Sequence, residues 1–230
     1  MQGASSDSLQ ALTEALGAAV EGGADASRSG DDLFAVSEVL RREPGLRRVA
    51  TDLSVTPEAK SGLLRGIFGE QLDPASTDLV ATAARRRWAA TRDLPDALEH
   101  LGVVAVVRGA EQKGKADELE NELFAFERLV SASPELRDSL SDPARDVADK
   151  RRLLRDLLDG KATSATLRLA EQAVSGSHRT VGSTTTLRCT GREYCAASAS
   201  CSRFCSWPSR SRATRTVATS RLRCSAAIFW

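Results

Sequence analysis

The sequence predicts an all-α protein: two related helical bundles from an internal duplication, followed by an irregular or disordered tail. Three observations predict it. Residues 33–70, LFAVSEVLRREPGLRRVATDLSVTPEAKSGLLRGIFGE, recur without a gap as residues 123–160, LFAFERLVSASPELRDSLSDPARDVADKRRLLRDLLDG, an offset of 90. Apolar residues return at helical spacing from Leu9 to Val174, with no convincing strand. At Val181 that pattern stops and the composition changes.

The repeat holds residue by residue. Leu33, Phe34 and Ala35 fall on Leu123, Phe124 and Ala125. Pro44, Leu46 and Arg47 fall on Pro134, Leu136 and Arg137, and Asp52 falls on Asp142. Lys60, Leu63, Leu64 and Arg65 fall on Lys150, Leu153, Leu154 and Arg155. The apolar slots between them agree as well: Val39 with Leu129, Leu40 with Val130, Ile67 with Leu157, and Phe68 with Leu158.

In chain order, Leu9, Leu12, Leu16 and Val20 give the first helix one apolar face. Gly22, Gly23 and Gly30 predict a loop, with Asp31 or Asp32 capping the next helix. That helix turns Leu33, Val36, Val39 and Leu40 inward. Pro44 cannot sit inside it, so a short helix carrying Leu46 and Val49 opens there. Thr56-Pro57-Glu58 supplies a capping hydroxyl, a proline at the first helical position and an acid for the helix dipole. The helix it starts shows Leu63, Leu64, Ile67 and Phe68 and stops at Gly69. Asp73-Pro74 starts the next, through Leu79, Val80 and Trp88, and Asp93 opens one through Leu94, Leu98 and Leu101 to Val107. Gly102, Gly109 and Gly114 weaken that helix without forbidding it.

The second unit continues with Leu119, Leu123, Phe126 and Val130. Ser133-Pro134 and Asp142-Pro143 then punctuate it, and Leu153, Leu154, Leu157 and Leu158 lead to Gly160. Ser164 caps a last helix through Leu167, Leu169 and Val174. The expected units are a first bundle at 1–110, an incomplete second bundle at 111–181 and an Arg/Ser/Cys-rich tail at 182–230.

The net charge of +1 hides a split. Residues 1–181 carry 24 Lys+Arg against 30 Asp+Glu, whereas residues 182–230 carry eight Arg, no Lys and one acid, Glu193. All five Cys lie in the tail, and a cysteine-free, charge-rich body reads as cytosolic. No secretory signal pattern and no long apolar run is present, so any membrane association is expected through a partner. Where the first copy reads DLPDALEHLGVVAVV, the tail reads STTTLRCTGREYCAA. The body's bias toward Ala, Arg, Gly, Leu and Asp suggests a GC-rich gene, and residues from about 182 read as out of frame. A genuine disordered Arg/Ser tail is the alternative.

Candidate chemistry is sparse. Cys189, Cys195, Cys201, Cys205 and Cys224 lack the close pairing that structural zinc needs; the nearest pair, Cys201 and Cys205, is C-x3-C without a following His. Arg85-Arg86-Arg87-Trp88 suggests a phosphate or nucleic-acid contact with an aromatic platform. A solvated helix face with Trp88 turned inward explains it better, and the acidic body argues against nucleic acid. His100 follows Glu99, but adjacent helical residues do not face each other, and His178 has no matching position. No phosphate loop or nucleophile elbow is present. No catalytic residue, no metal ligand and no cofactor-binding residue is therefore expected. Bundles with grooves between helices read instead as an interaction protein, because such a groove accepts an amphipathic helix. A helical adaptor for an unrelated peptide is the rival reading.

The pattern GLRRVATDLSVTPEAKSGLLRGIFGEQLDPASTDLV, followed by RDLPDALEHL, resembles the helical domain of the delta subunit of bacterial F-type ATP synthase, the relative of the oligomycin-sensitivity-conferring protein. The second copy repeats it in ELRDSLSDPARDVADKRRLLRDLLDGKATSATLRLAEQAV, as in a long, actinobacterial-like form. The resemblance covers roughly residues 1–181. It implies a non-catalytic stator subunit of a proton-translocating synthase, peripheral on the cytoplasmic face of the bacterial plasma membrane. Its implied partners are the N-terminal helix of an alpha subunit, received by the helical domain, and a b-type stalk, held by a C-terminal α/β domain. The Gly-Gly turn and Asp-Gly-Ser of that last domain are not found in residues 182–230, which contain no Asp.

Overall fold

The computed structural model describes residues 3–175, and these form ten α-helices with no strand among them. In order they are α1 (Ala4–Glu21), α2 (Ala26–Arg42), α3 (Pro44–Thr51), α4 (Pro57–Phe68), α5 (Pro74–Arg85), α6 (Asp93–Gln112), α7 (Ala116–Ala132), α8 (Pro134–Ser141), α9 (Val147–Leu158) and α10 (Ser164–Ser175). The all-α expectation holds over the described residues. The tail, with its five cysteines and His178, lies outside them.

Local chemistry sets most of the boundaries. Pro44, Pro57, Pro74 and Pro134 occupy first-turn positions, where a missing N–H costs nothing. The Thr56 hydroxyl accepts from the Ala59 N–H at 3.3 Å, and the Asp73 carboxylate accepts from the Ala75 N–H at 3.1 Å. Each satisfies an N–H that the helix leaves orphaned. Two cap expectations are overturned. Ser164 is the first residue of α10, and the hydroxyl that accepts at its start, from the Thr166 N–H at 3.4 Å, is that of Thr163. Gly30, Asp31 and Asp32 lie inside α2, not in a loop or at its cap. The cap is Asp25, whose carboxylate accepts from Ser27 at 2.9 Å and Arg28 at 3.2 Å.

The reason is packing between α2 and α6, which run antiparallel with their backbones close. A Cβ on Gly30 would sit 3.2 Å from the Gly102 carbonyl oxygen and 2.8 Å from Val106 Cγ2. A Cβ on Gly102 would meet the Phe34 ring at 2.7 Å. The helix cost of each glycine, about 1 kcal/mol relative to alanine, is offset by an approach that no side chain would permit. Ser37 ties the far end, donating to the Pro95 carbonyl at 2.8 Å.

The main core is filled by α1–α6: Leu12, Leu16, Leu33, Leu40, Leu64, Leu94, Leu98 and Leu101 are fully buried. Burial of each such side chain stabilises by roughly 1.5–3 kcal/mol. Several residues assigned to inner faces are partly outside. Leu64 and Phe68 are buried, but Leu63 and Ile67 are 37% and 39% exposed, because beyond Lys60 and Ser61 the buried stripe of α4 narrows to Leu64 and Phe68. Val39 and Val49 are likewise exposed. Two smaller clusters follow. Phe34, Val103, Val106 and Ala110 pack with Leu119, Leu123 and Leu169, while Phe126, Val130, Leu140, Leu154 and Leu158 pack with Ala170.

Helix bounds recur at the offset read from the sequence: α2, α3, α4 and α5 reappear 90 residues later as α7, α8, α9 and α10, end for end. Moving α1 by the same offset lands it on α6. Helix α6 thus packs Leu94, Leu98 and Leu101 into the main core, and meets α7 and α10 with Val103, Val106 and Ala110.

Candidate interaction surfaces

Three features of the described residues bear on function. The first is the joint between the two halves. Glu99, buried on α6, accepts from Arg41 at 2.5 Å and from Gln172 of α10 at 2.7 Å. Its carboxylate is thus engaged in packing contacts on both sides of the joint. Arg168 of α10 pairs with Asp31 of α2, and its guanidinium lies 4.5 Å from the centre of the Phe34 ring, a cation–π contact. Arg151 of α9 reaches Glu38 of α2 at 3.7 Å. Sequence reading missed this joint. Glu99 and Gln172 are polar residues on buried faces, and that was the available signal.

A second feature is a cleft at the same joint, lined by Ser27, Asp31, Gly109, Lys113, Lys115 and Arg168 among others, with a volume of about 440 Å³. Its cations are already engaged: Lys113 donates to Ser27 at 3.1 Å, Lys115 pairs with Glu118 at 3.3 Å, and Arg168 holds Asp31.

The third is the α5–α6 loop with its arginine run. Trp88 is 6% exposed and its indole N–H donates to the Ala83 carbonyl at 3.0 Å, so it offers no platform for a base. Arg85, Arg86, Arg87 and Arg92 are all exposed. No group of three or more His, Cys, Asp or Glu that could hold a metal occurs among the described residues. No described helix is long and apolar enough to cross a membrane.

What these features define is an all-α protein whose two halves are joined by the Glu99–Gln172, Arg168–Asp31 and Arg151–Glu38 contacts. The family model described as ATP synthase delta (OSCP) subunit matches residues 103–179. An ATP synthase subunit delta of Nocardioides sp. is 45% identical over 179 residues, 78% of this chain and 65% of the relative. The subunit delta of Kineococcus radiotolerans is 47% identical over 155 residues, 67% of this chain and 56% of the relative. That of Streptomyces avermitilis is 41% identical over 174 residues, 75% and 64% respectively. The chain belongs to the ATP synthase delta (OSCP) family. It spans less than two thirds of the length of these relatives.

Proposed function

We propose that the chain is a non-catalytic peripheral-stalk subunit of a proton-translocating F-type ATP synthase, tying the catalytic head to the membrane sector. The observation that carries this reading is the 45% identity over 179 residues to a delta subunit, a stretch long enough to take in nearly all the described helices. Its place is peripheral, on the cytoplasmic face of the bacterial plasma membrane, reached through the complex. We read residues 1–110 and 111–181 as two related bundles from one duplication. The recurrence of four helix bounds at an offset of 90 supports this.

The partner we assign to the helical part is the N-terminal helix of an alpha subunit, lying in a groove of a bundle with apolar anchors at helical spacing. The first bundle is the proposed receiver, because all six helices, α1–α6, surround its core. A peptide of the alpha N-terminus, titrated against the full chain, tests the contact, and pull-down from a lysate tests the assembly. Recovery of the alpha subunit is expected. Absence of both peptide binding and alpha recovery would remove the stator reading.

A further inference from the structure

The α5–α6 loop carries Arg85, Arg86, Arg87 and Arg92 within eight residues, in a body whose residues 1–181 are net acidic. None of the four guanidiniums has a hydrogen-bond or ion-pair partner among the described residues, although eleven ion pairs form elsewhere.

Their backbone, by contrast, is firmly held. Ser8 donates to the Arg87 carbonyl at 2.8 Å. The Ser5 hydroxyl accepts from the Ala89 N–H at 2.8 Å and donates to Asp93 at 2.7 Å. The same Asp93 oxygen accepts from the Ala90 N–H at 3.2 Å, and Trp88 is anchored on Ala83. A loop fixed at five points and bearing four unpaired cations has already met much of the ordering cost of binding an anion.

Fold stability does not explain all four. Arg85 lies in the last turn of α5, where a cation suits the helix dipole. Arg92 is the N-cap of α6, where a cation has the wrong sign. Arg86 and Arg87 lie between the helices.

We propose that this loop docks an acidic peptide segment of a partner protein, with Arg85, Arg86, Arg87 and Arg92 taking its carboxylates. Guanidinium pairs with carboxylate through a two-toothed fork. The acidic character of the rest of the body selects for a short ligand. An extended polyanion, such as a lipid surface or a nucleic acid, must also lie against carboxylates such as Asp7 of α1, which is exposed and adjoins Ser8, the residue tied to Arg87. This proposal goes beyond the stator reading and does not depend on it.

The probe is a fluorescent oligo-glutamate peptide titrated against the full chain at low salt. The expected result is saturable binding that weakens with added salt and falls by about tenfold or more in R85Q/R86Q/R87Q/R92Q. Circular dichroism should show that this variant, changed only at exposed positions, keeps its helix. The tail also carries arginines, so R203Q/R210Q/R212Q/R215Q serves as the control and should bind as the parent does. Equal binding by the loop variant would overturn the proposal. So would tighter, loop-dependent binding of phosphatidylglycerol vesicles or oligothymidylate than of the peptide. Failure here with normal alpha-subunit recovery would leave the stator reading standing.

Discussion

Glu122 accepts from both the backbone N–H and the hydroxyl of Thr163, at 2.9 and 2.7 Å. The residue 90 positions earlier, Asp32, accepts from the backbone N–H of Asp73 at 2.9 Å. In each half a carboxylate in the first of the four recurring helices thus holds the start of the fourth. The pair differs in chain length by one methylene, and the tie is kept.

Removing that tie in the second half should loosen α10. Glu122→Ala takes the acceptor from Thr163 and from the Thr166 hydroxyl, and a lost cap of this kind costs about 1–2 kcal/mol. Urea denaturation should show a lower midpoint, and hydrogen exchange should be fastest over residues 164–175.

The same carboxyl gives a pH dependence. Burial pushes the Glu122 pKa up, but hydrogen bonds from Thr166 and Thr163, with help from Lys115, outweigh it and leave it below the ordinary value. A folded-state pKa below the unfolded one means the folded state holds the charged form more firmly. The stabilisation is therefore present above the unfolded pKa and is lost as pH falls through the folded value. Glu122→Gln should flatten the acid limb of stability below about pH 4.5 and leave its shape above neutrality unchanged. An acid limb unaltered by the substitution would assign the loss to other carboxylates.

Close approach of α2 and α6 predicts opposite outcomes for two glycine substitutions. Gly102→Ala drives a methyl into Phe34 and should destabilise by about 1–3 kcal/mol. Gly66, inside α4, has nothing within 4 Å of the position a Cβ would take. Gly66→Ala should therefore stabilise by about 0.5–1 kcal/mol. Thermal unfolding of the two variants beside the parent checks both signs.

Loss of Glu99 should affect both halves. Glu99→Ala leaves Arg41 with Asp96 alone and Gln172 without its carboxylate acceptor. Leaving a buried polar group unsatisfied costs about 1–3 kcal/mol. Gln172→Ala removes only the α10 side, so exchange protection should fall in α10 and persist in α2. Equal loss in α2 for both variants would contradict this division.

Much of the fold was legible because its punctuation is local. Thr56-Pro57, Asp73-Pro74, Pro44 and Pro134 begin helices by chemistry confined to a few residues, and the structure begins helices there. Gly30 was not legible. Its propensity argues for a loop, and the contact that overrides it, with Gly102 and Val106, is remote in sequence. The interface residues Glu99, Gln172 and Arg168 were hidden for the same reason, since their partners come from other helices. The shared position of α6 could have been found. Moved by 90, Leu16 and Val20 of α1 fall on Val106 and Ala110, both buried against the second half. Trp88 could be read correctly, since a bulky aromatic beside three arginines has only one way to leave water, into the bundle.

The repeat also predicts a counterpart of α6 at residues 183–202, where the chain reads STTTLRCTGREYCAASASCS. The apolar spacing of Leu94, Leu98, Leu101 and Val104 is missing from it. Reading the gene past codon 181 in its other two frames should restore that spacing in one of them. If neither frame yields it, the tail is native.

Helix α6 is a single rod about 30 Å long, with one bundle gripping its first turns and the other its last. No linker separates the two halves there, so a bending or twisting load on one bundle reaches the other along a continuous backbone. Compliance must then come from the side-chain seams between α10 and its neighbours. Cutting Gln172–Glu99 or Arg168–Asp31 would soften the molecule as a spring without shortening it.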